Sequence, residues 1–176
     1  MEELSGKANN SLRNVFHRFG PELWLVTITQ FFTAIGFSIC IPFLSLHLYQ
    51  DRGLSMTLVG TIILAAGLCS AASQALGGAL SDRFGRRPIL LIGTAVGVFL
   101  YSGLAALIGI SAPVWAIAVV YIASRLILTT TRPVIQAMEA DFTPKEKQTE
   151  AYGILRIGAN EGWAAGPAIG GYLATI

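Results

Sequence analysis

Long blocks without a single charge dominate the chain. No Asp, Glu, Lys or Arg occurs between residues 23 and 50, 53 and 81, or 88 and 124. A helix that crosses a bilayer needs roughly 20 apolar residues, so the first two blocks hold one span each. The third, broken near Gly109 to Pro113, holds two. A fifth apolar stretch closes the chain. The pattern predicts spans at 22 to 48, 57 to 80, 88 to 109, 113 to 137 and 152 to 175, and hence an all-α polytopic membrane protein with five transmembrane helices.

Composition agrees with that reading. Of 176 residues, 53% are hydrophobic and 12% charged, about half the charged fraction usual for a soluble domain. A formal net charge of +2 provides no basic face on which nucleic-acid phosphates would be neutralised. Cys40 and Cys69 lie inside apolar blocks, match no metal-ligand spacing and read as small core residues. No His-Glu-x-x-His, Gly-x-Ser-x-Gly or paired intramembrane aspartates point to an enzyme. The first residues, with Glu2, Glu3, Lys7, Arg13 and Arg18, lack the short apolar core of a removable signal peptide, so the first span is expected to stay as an anchor.

Basic residues mark one side of the membrane. Lys7, Arg13 and Arg18 precede the first span, Arg83, Arg86 and Arg87 follow the second, and Lys145 and Lys147 follow the fourth. The other connections hold only Arg52, offset by Asp51. Eight against one places residues 1 to 21 in the cytoplasm by the positive-inside rule, in a plasma or inner membrane, with residues 22 to 176 forming the transmembrane part. The apolar stretch reaches Ile176 with no polar flank, so the chain is expected to be truncated there.

The connection after the second span reads Gly78, Leu80, Ser81, Asp82, Arg83, Gly85, Arg86, Arg87, in the order G-x-L-S-D-R-x-G-R-R. Gly85 can take a positive φ, and Pro88 suits a helix start, where its missing N–H costs little. Asp82 can accept from free backbone N–H groups or pair with an arginine, while the arginines sit among anionic headgroups. By charge alone, three arginines that merely anchor a loop explain the segment equally well. The order and spacing closely resemble the signature loop between helices two and three of the major facilitator superfamily. That resemblance implies the first five helices of a twelve-helix transporter, with Asp82 and the arginines as a latch toward a second six-helix half that this chain lacks.

Arg125 falls near the middle of the fourth span, where an ionised side chain costs several kcal/mol unless it finds a partner or a wet cavity. With Thr129, Arg132 and Gln136 it forms a polar stripe on one helix face, expected to meet a cavity or a neighbour. Arg132 is placed to snorkel to the headgroups. The superfamily's proton-linked members often carry an arginine at this place, followed by a Gln-Gly pair; here Leu128 and Thr129 stand instead. Asp141 and Pro144 resemble a further family pattern whose arginine, seven residues after the aspartate, is replaced by Gln148 beside Lys147.

Gly162, Gly166, Pro167, Gly170 and Gly171 give the fifth span the string G-x-x-x-G-P-x-x-G-G. Glycines four apart let another helix approach closely, as Gly93 and Gly97 do in the third span, and Pro167 removes one backbone hydrogen bond. The string resembles the antiporter signature of the superfamily's drug and proton exchangers, which implies control of leakage and of alternating access. Glu161 lies at a depth similar to Arg125. The sequence leaves three relations between them open: a static pair, a proton-sensitive pair, and no contact. Helical arithmetic turns Glu161 roughly 140° away from Arg156, puts Asn160 forward as a cavity residue and leaves Arg156 near the inner headgroups.

Thr27, Gln30 and Thr33, then Ser70 and Gln74, either line a route or bond to helix backbone. Pro42 is expected to bend the first span, and His47 to sit at the outer interface. The resemblance implies a secondary transporter working by alternating access, without cofactor, exchanging protons for small amphiphilic compounds. Its partners would be membrane lipid, substrate and the absent second half. A facilitator or symporter of sugars or other metabolites stays open as the alternative, as does a non-transporting scaffold should the chain end at Ile176.

Overall fold

The computed structural model describes residues 19 to 173, so the segment with Lys7, Arg13 and Arg18 and the last residues up to Ile176 lie outside the described part. Five long helices follow one another: α1 at Pro21–Leu46, α2 at Met56–Phe84, α3 at Arg86–Gly109, α4 at Val114–Phe142 and α5 at Gln148–Leu173. A π-helical turn, His47–Asp51, continues α1, and one 3-10 turn, Lys145–Lys147, precedes α5. α1 with its π turn, α2, α3 and α4 are long and apolar enough to cross a membrane. α5 has 26 residues, roughly 39 Å at 1.5 Å per residue, which exceeds the thickness of a hydrocarbon core. Glu150, Arg156, Glu161 and its glycines make it the least apolar of the five. The fifth expected span is therefore present as a helix of sufficient length but below the hydropathy of the other four.

Three helices run further than their apolar blocks. α2 continues through Ser81–Phe84 and α3 begins at Arg86, so the expected loop shrinks to Gly85, with φ +88° and ψ 151°. That region is open almost only to glycine. Pro88 falls in the first turn of α3, where no intrahelical donor is lost. α4 continues past 137 to Phe142, carrying Glu139 and Asp141 into its last turn.

By contacts the described chain divides into two units: residues 19 to 40 with 139 to 173, and residues 41 to 138. In the second unit α4 is the centre. Ile117, Tyr121, Ser124, Thr131 and Val134 are buried on it at spacings of three, four or seven residues. Small residues let its neighbours come close. A Cβ on Gly77 of α2 would strike the backbone carbonyl of Thr130; on Gly93 of α3 it would meet the Thr131 methyl, and on Gly97 the Leu128 side chain. The packing role expected for Gly93 and Gly97 is borne out. Ser55 caps α2 by accepting from Leu58 N at 3.3 Å. At the α3–α4 turn Ser111 has φ +53°, and the Arg52 guanidinium donates to the carbonyls of Ser111, at 3.0 Å, and Ala112. Arg52 is thus spent on this turn, while Asp51 bonds His47 at 2.8 Å within the π turn.

In the first unit α1 lies along α5. Leu23, Ala151 and Leu155 form a small core with Phe19, Val26 and Ile154 around it. Further along, Gly158 faces Thr27, Gly162 faces Phe31 and Ala34, and Gly166 faces Ile35 and Ser38. Ser38 Oγ, buried, donates across the interface to Gly162 O at 3.3 Å.

Both interiors mix small and hydroxyl residues with apolar ones: Thr27, Ser38, Ser73, Ser124, Thr129 and Thr131 are all buried. Large apolar side chains point outward instead, among them Phe99 at 77% exposure and Leu25 at 68%. An apolar exterior of this kind follows from lipid as solvent, where apolar surface costs nothing and close backbone approach supplies the attraction.

Candidate functional site

The signature segment is organised around Gly85. Ser81 is buried and donates to Gly78 O at 2.8 Å, an intrahelical bond that turns Asp82 and Arg83 outward. Asp82, Arg83 and Arg87 are exposed, and Arg83 holds its guanidinium 5.4 Å from the Phe84 ring centroid. Arg86 alone of the three arginines turns inward and donates to Ala137 O, in the last turns of α4, at 2.6 Å. A guanidinium on a helix's late carbonyls satisfies an acceptor and opposes the negative end of its dipole. Gly78 has open space where a Cβ would stand; the close approach to α4 is made by Gly77 next to it. The segment thus presents Asp82, Arg83 and Arg87 to its surroundings on a turn fixed by Gly85 and Arg86.

On α4 the expected stripe is divided. Thr129 is buried and gives its hydroxyl proton to Arg125 O at 2.5 Å, while Arg132 and Gln136 are exposed and Arg125 is half-buried. The face of Ser124, Leu128 and Thr131, one residue earlier, does the packing. Thr27 and Thr33 on α1 donate to Leu23 O and Thr29 O at 2.8 and 2.7 Å, so those hydroxyls bond their own helix. Gln30 is half-buried; Gln74 is exposed and reaches Ser70 O at 3.5 Å. Cys40 and Cys69 form no disulfide and are half-buried rather than fully in a core.

On α5 the glycine strip of Gly162 and Gly166 meets α1 and extends one turn earlier, to Gly158. Gly170 is buried, whereas Gly171 has open space. Asn160, two residues before Gly162, lies about 160° around the helix from this contact, and Glu161 about 100°. Both are exposed, as are Arg156 and Trp163. Arg125 belongs to one unit and Glu161 to the other.

One residue that the sequence reading passed over stands out. Glu139, near the end of α4, is 2% exposed, and neither carboxylate oxygen has a hydrogen-bond partner. It lines a cavity of about 240 Å³ with Leu23 and Val26 of α1, Phe142 of α4 and Phe19. Lys147, also lining it, holds its ammonium 6.0 Å from the Phe19 ring centroid. Gln148, standing where the family pattern has arginine, closes the turn below by donating to Ala140 O at 3.2 Å and Thr143 O at 3.5 Å. The signal for Glu139 was spacing: it follows Thr131 and Ile135 by two steps of four on the buried face of α4.

Long apolar helices with glycine seams and the Gly85 turn define a polytopic membrane protein, and residues 26 to 176 match the family model of the Major Facilitator Superfamily. The chain belongs to that superfamily, whose members are transporters rather than enzymes. Among similar proteins is the Uncharacterized MFS-type transporter YqjV of Bacillus subtilis (strain 168), 26% identical over 152 residues that cover 86% of this chain and 36% of that protein. The Multidrug resistance protein MdtG of Proteus mirabilis (strain HI4320) is 33% identical, over 88% of this chain and 38% of its own length. The Quinolone resistance protein NorA of Staphylococcus aureus is 23% identical, over 88% and 39%. The chain therefore spans less than two fifths of the relatives it matches.

Proposed function

We propose that this chain is the N-terminal part of a proton-coupled exporter of small amphiphilic compounds, working by alternating access with its N-terminus in the cytoplasm. The carrying observation is the α1–α5 seam: Gly158, Gly162 and Gly166 bring α5 against the backbone of α1, with Pro167 directly after. A smooth seam lets one helix slide or rock on another without unlocking interdigitated side chains, and a proline supplies the flexible point. The names of the similar proteins from Proteus and Staphylococcus, which speak of multidrug and quinolone resistance, support the substrate class.

In this reading the Gly85 turn presents Asp82, Arg83 and Arg87 to the second half as the latch of the outward-facing state. Arg125, Glu161, Asn160, Gln30 and Gln74 are the polar groups assigned to proton coupling and the pathway, with Glu161 as proton carrier. Gly166, Pro167, Gly170 and Gly171 govern its alternation. The test is efflux of a fluorescent amphiphilic cation from cells making the complete protein. Glu161→Gln is expected to abolish the response to an outside-acid gradient, and Arg125→Ala to reduce it at least tenfold. A gradient response unchanged in Glu161→Gln would remove that residue from the mechanism.

A further inference from the structure

Glu139 poses a problem of charge. A carboxylate withdrawn from water without a partner is costly, and in membrane proteins such a group marks a site of function. Its oxygens are buried and not used by any hydrogen bond, the residue is 2% exposed, and it lines a cavity. The walls decide what fits. Leu23, Val26 and Phe142 are apolar and supply no further oxygen ligands. Among the described residues no group of three His, Cys, Asp or Glu side chains is placed to hold a metal ion, so the buried Glu139 carboxylate stands beside a mainly hydrocarbon and aromatic wall, with Glu22, Thr143 and Lys147 as the other polar side chains of the lining. That combination matches a cation whose charge is sheathed in carbon.

The cavity's own chemistry repeats the point. Lys147 already sets an ammonium over the Phe19 ring, so this wall accepts a cation. With Glu22 at the exposed rim, two acidic residues and one lysine line the cavity. Size narrows the class: about 240 Å³ lies below the roughly 300 Å³ at which sites for drug-sized ligands begin. We propose that the cavity between the start of α1 and the end of α4 is a binding site for a small organic ammonium group, held by the Glu139 carboxylate with Phe142 and Leu23 around its carbon. It is separate from the Glu161 pathway and involves equilibrium binding alone, so it stands or falls independently of transport. A free cation and an ethanolamine headgroup from the adjoining lipid both carry such an ammonium.

The test is saturable binding of radiolabelled benzyltrimethylammonium to the complete protein in nanodiscs. Glu139→Gln, which keeps the shape and removes the charge, is expected to weaken binding at least tenfold. Phe142→Ala, at an exposed position that tolerates truncation, is expected to weaken it about threefold. Glu146→Gln, on the neighbouring 3-10 turn, leaves affinity unchanged. Equal affinity in phosphatidylglycerol and phosphatidylethanolamine discs identifies a free cation as the occupant; weaker apparent affinity in the latter identifies the headgroup, and both uphold the site. Binding that is absent in phosphatidylglycerol discs, or equally tight in wild type and Glu139→Gln, overturns it. Should Glu139→Gln fail to fold, unchanged binding in Phe142→Ala overturns it as well.

Discussion

Gly162→Ala gives the sharpest test of how the first unit is held. The new methyl would stand 2.8 Å from Ala34 Cβ and against the carbonyl of Phe31, both on α1. The carbonyl belongs to helix backbone and cannot rotate away, so the helices must part. Overpacking of this kind costs about 1–3 kcal/mol. Parting also stretches the bond from Ser38 Oγ to Gly162 O, already 3.3 Å, and an interhelical bond in a membrane contributes about 0.6 kcal/mol. Alanine returns about 1 kcal/mol of helix propensity over glycine. The net loss is about 0.6–2.6 kcal/mol, which lowers the melting temperature by roughly 1–10 °C. Gly171→Ala is the matched control, because its Cβ meets open space and only the propensity gain remains. Thermal denaturation of the two variants in one detergent, read by the loss of the monodisperse elution peak, should move them in opposite directions. A Gly162→Ala protein as stable as Gly171→Ala would refute the seam.

Three further outcomes follow from other contacts. Gly85→Ala forces a side chain into φ +88°, ψ 151°, at a cost of about 1–3 kcal/mol, and should lower the yield of folded protein more than Gly78→Ala, where space is open. Arg52→Ala leaves the carbonyls of Ser111 and Ala112 without their donor, about 1–3 kcal/mol of local stability if water does not replace it. The α3–α4 turn should then exchange its amide hydrogens at least several-fold faster by mass spectrometry, while α5 is unchanged. Gln148→Ala removes two bonds to the last turn of α4 and should cost about 0.5–1.5 kcal/mol, whereas Gln148→Arg, which restores a donor, should recover most of it.

Much of this architecture is written in the apolar blocks, because a bilayer demands long uninterrupted helices and tolerates little else. The blocks located every helix but misplaced its ends. Ser81 to Phe84 and Glu139 to Phe142 are charged or polar segments that stay helical beyond the apolar run. Hydropathy therefore described the turn at Gly85 as a loop, though the positive φ expected of that glycine was right. Periodicity gave the seam of Gly162 and Gly166 because glycines four apart can serve little else, and the same count extended to 158 yields Gly158. What spacing cannot supply is which of two adjacent glycines touches a neighbour. Gly77 against Thr130, with Gly78 open, follows from the rotation of α2 about its axis, fixed only by packing. Arg52 offered no signal of its own either: its partners are backbone carbonyls some sixty residues away. Glu139 was legible in part, since its spacing from Ile135 places it on the packed face, but its helix had been ended at 137.

The central claim, that this chain carries the proton-coupled half-pathway of an exporter, is tested most directly in proteoliposomes of the complete protein with an imposed acidic lumen. Antiport moves protons out of the lumen and the amphiphilic substrate in, so accumulation should follow the gradient, collapse with a proton–potassium exchanger, and vanish in Glu161→Gln. Accumulation of equal extent with and without the gradient would contradict proton coupling.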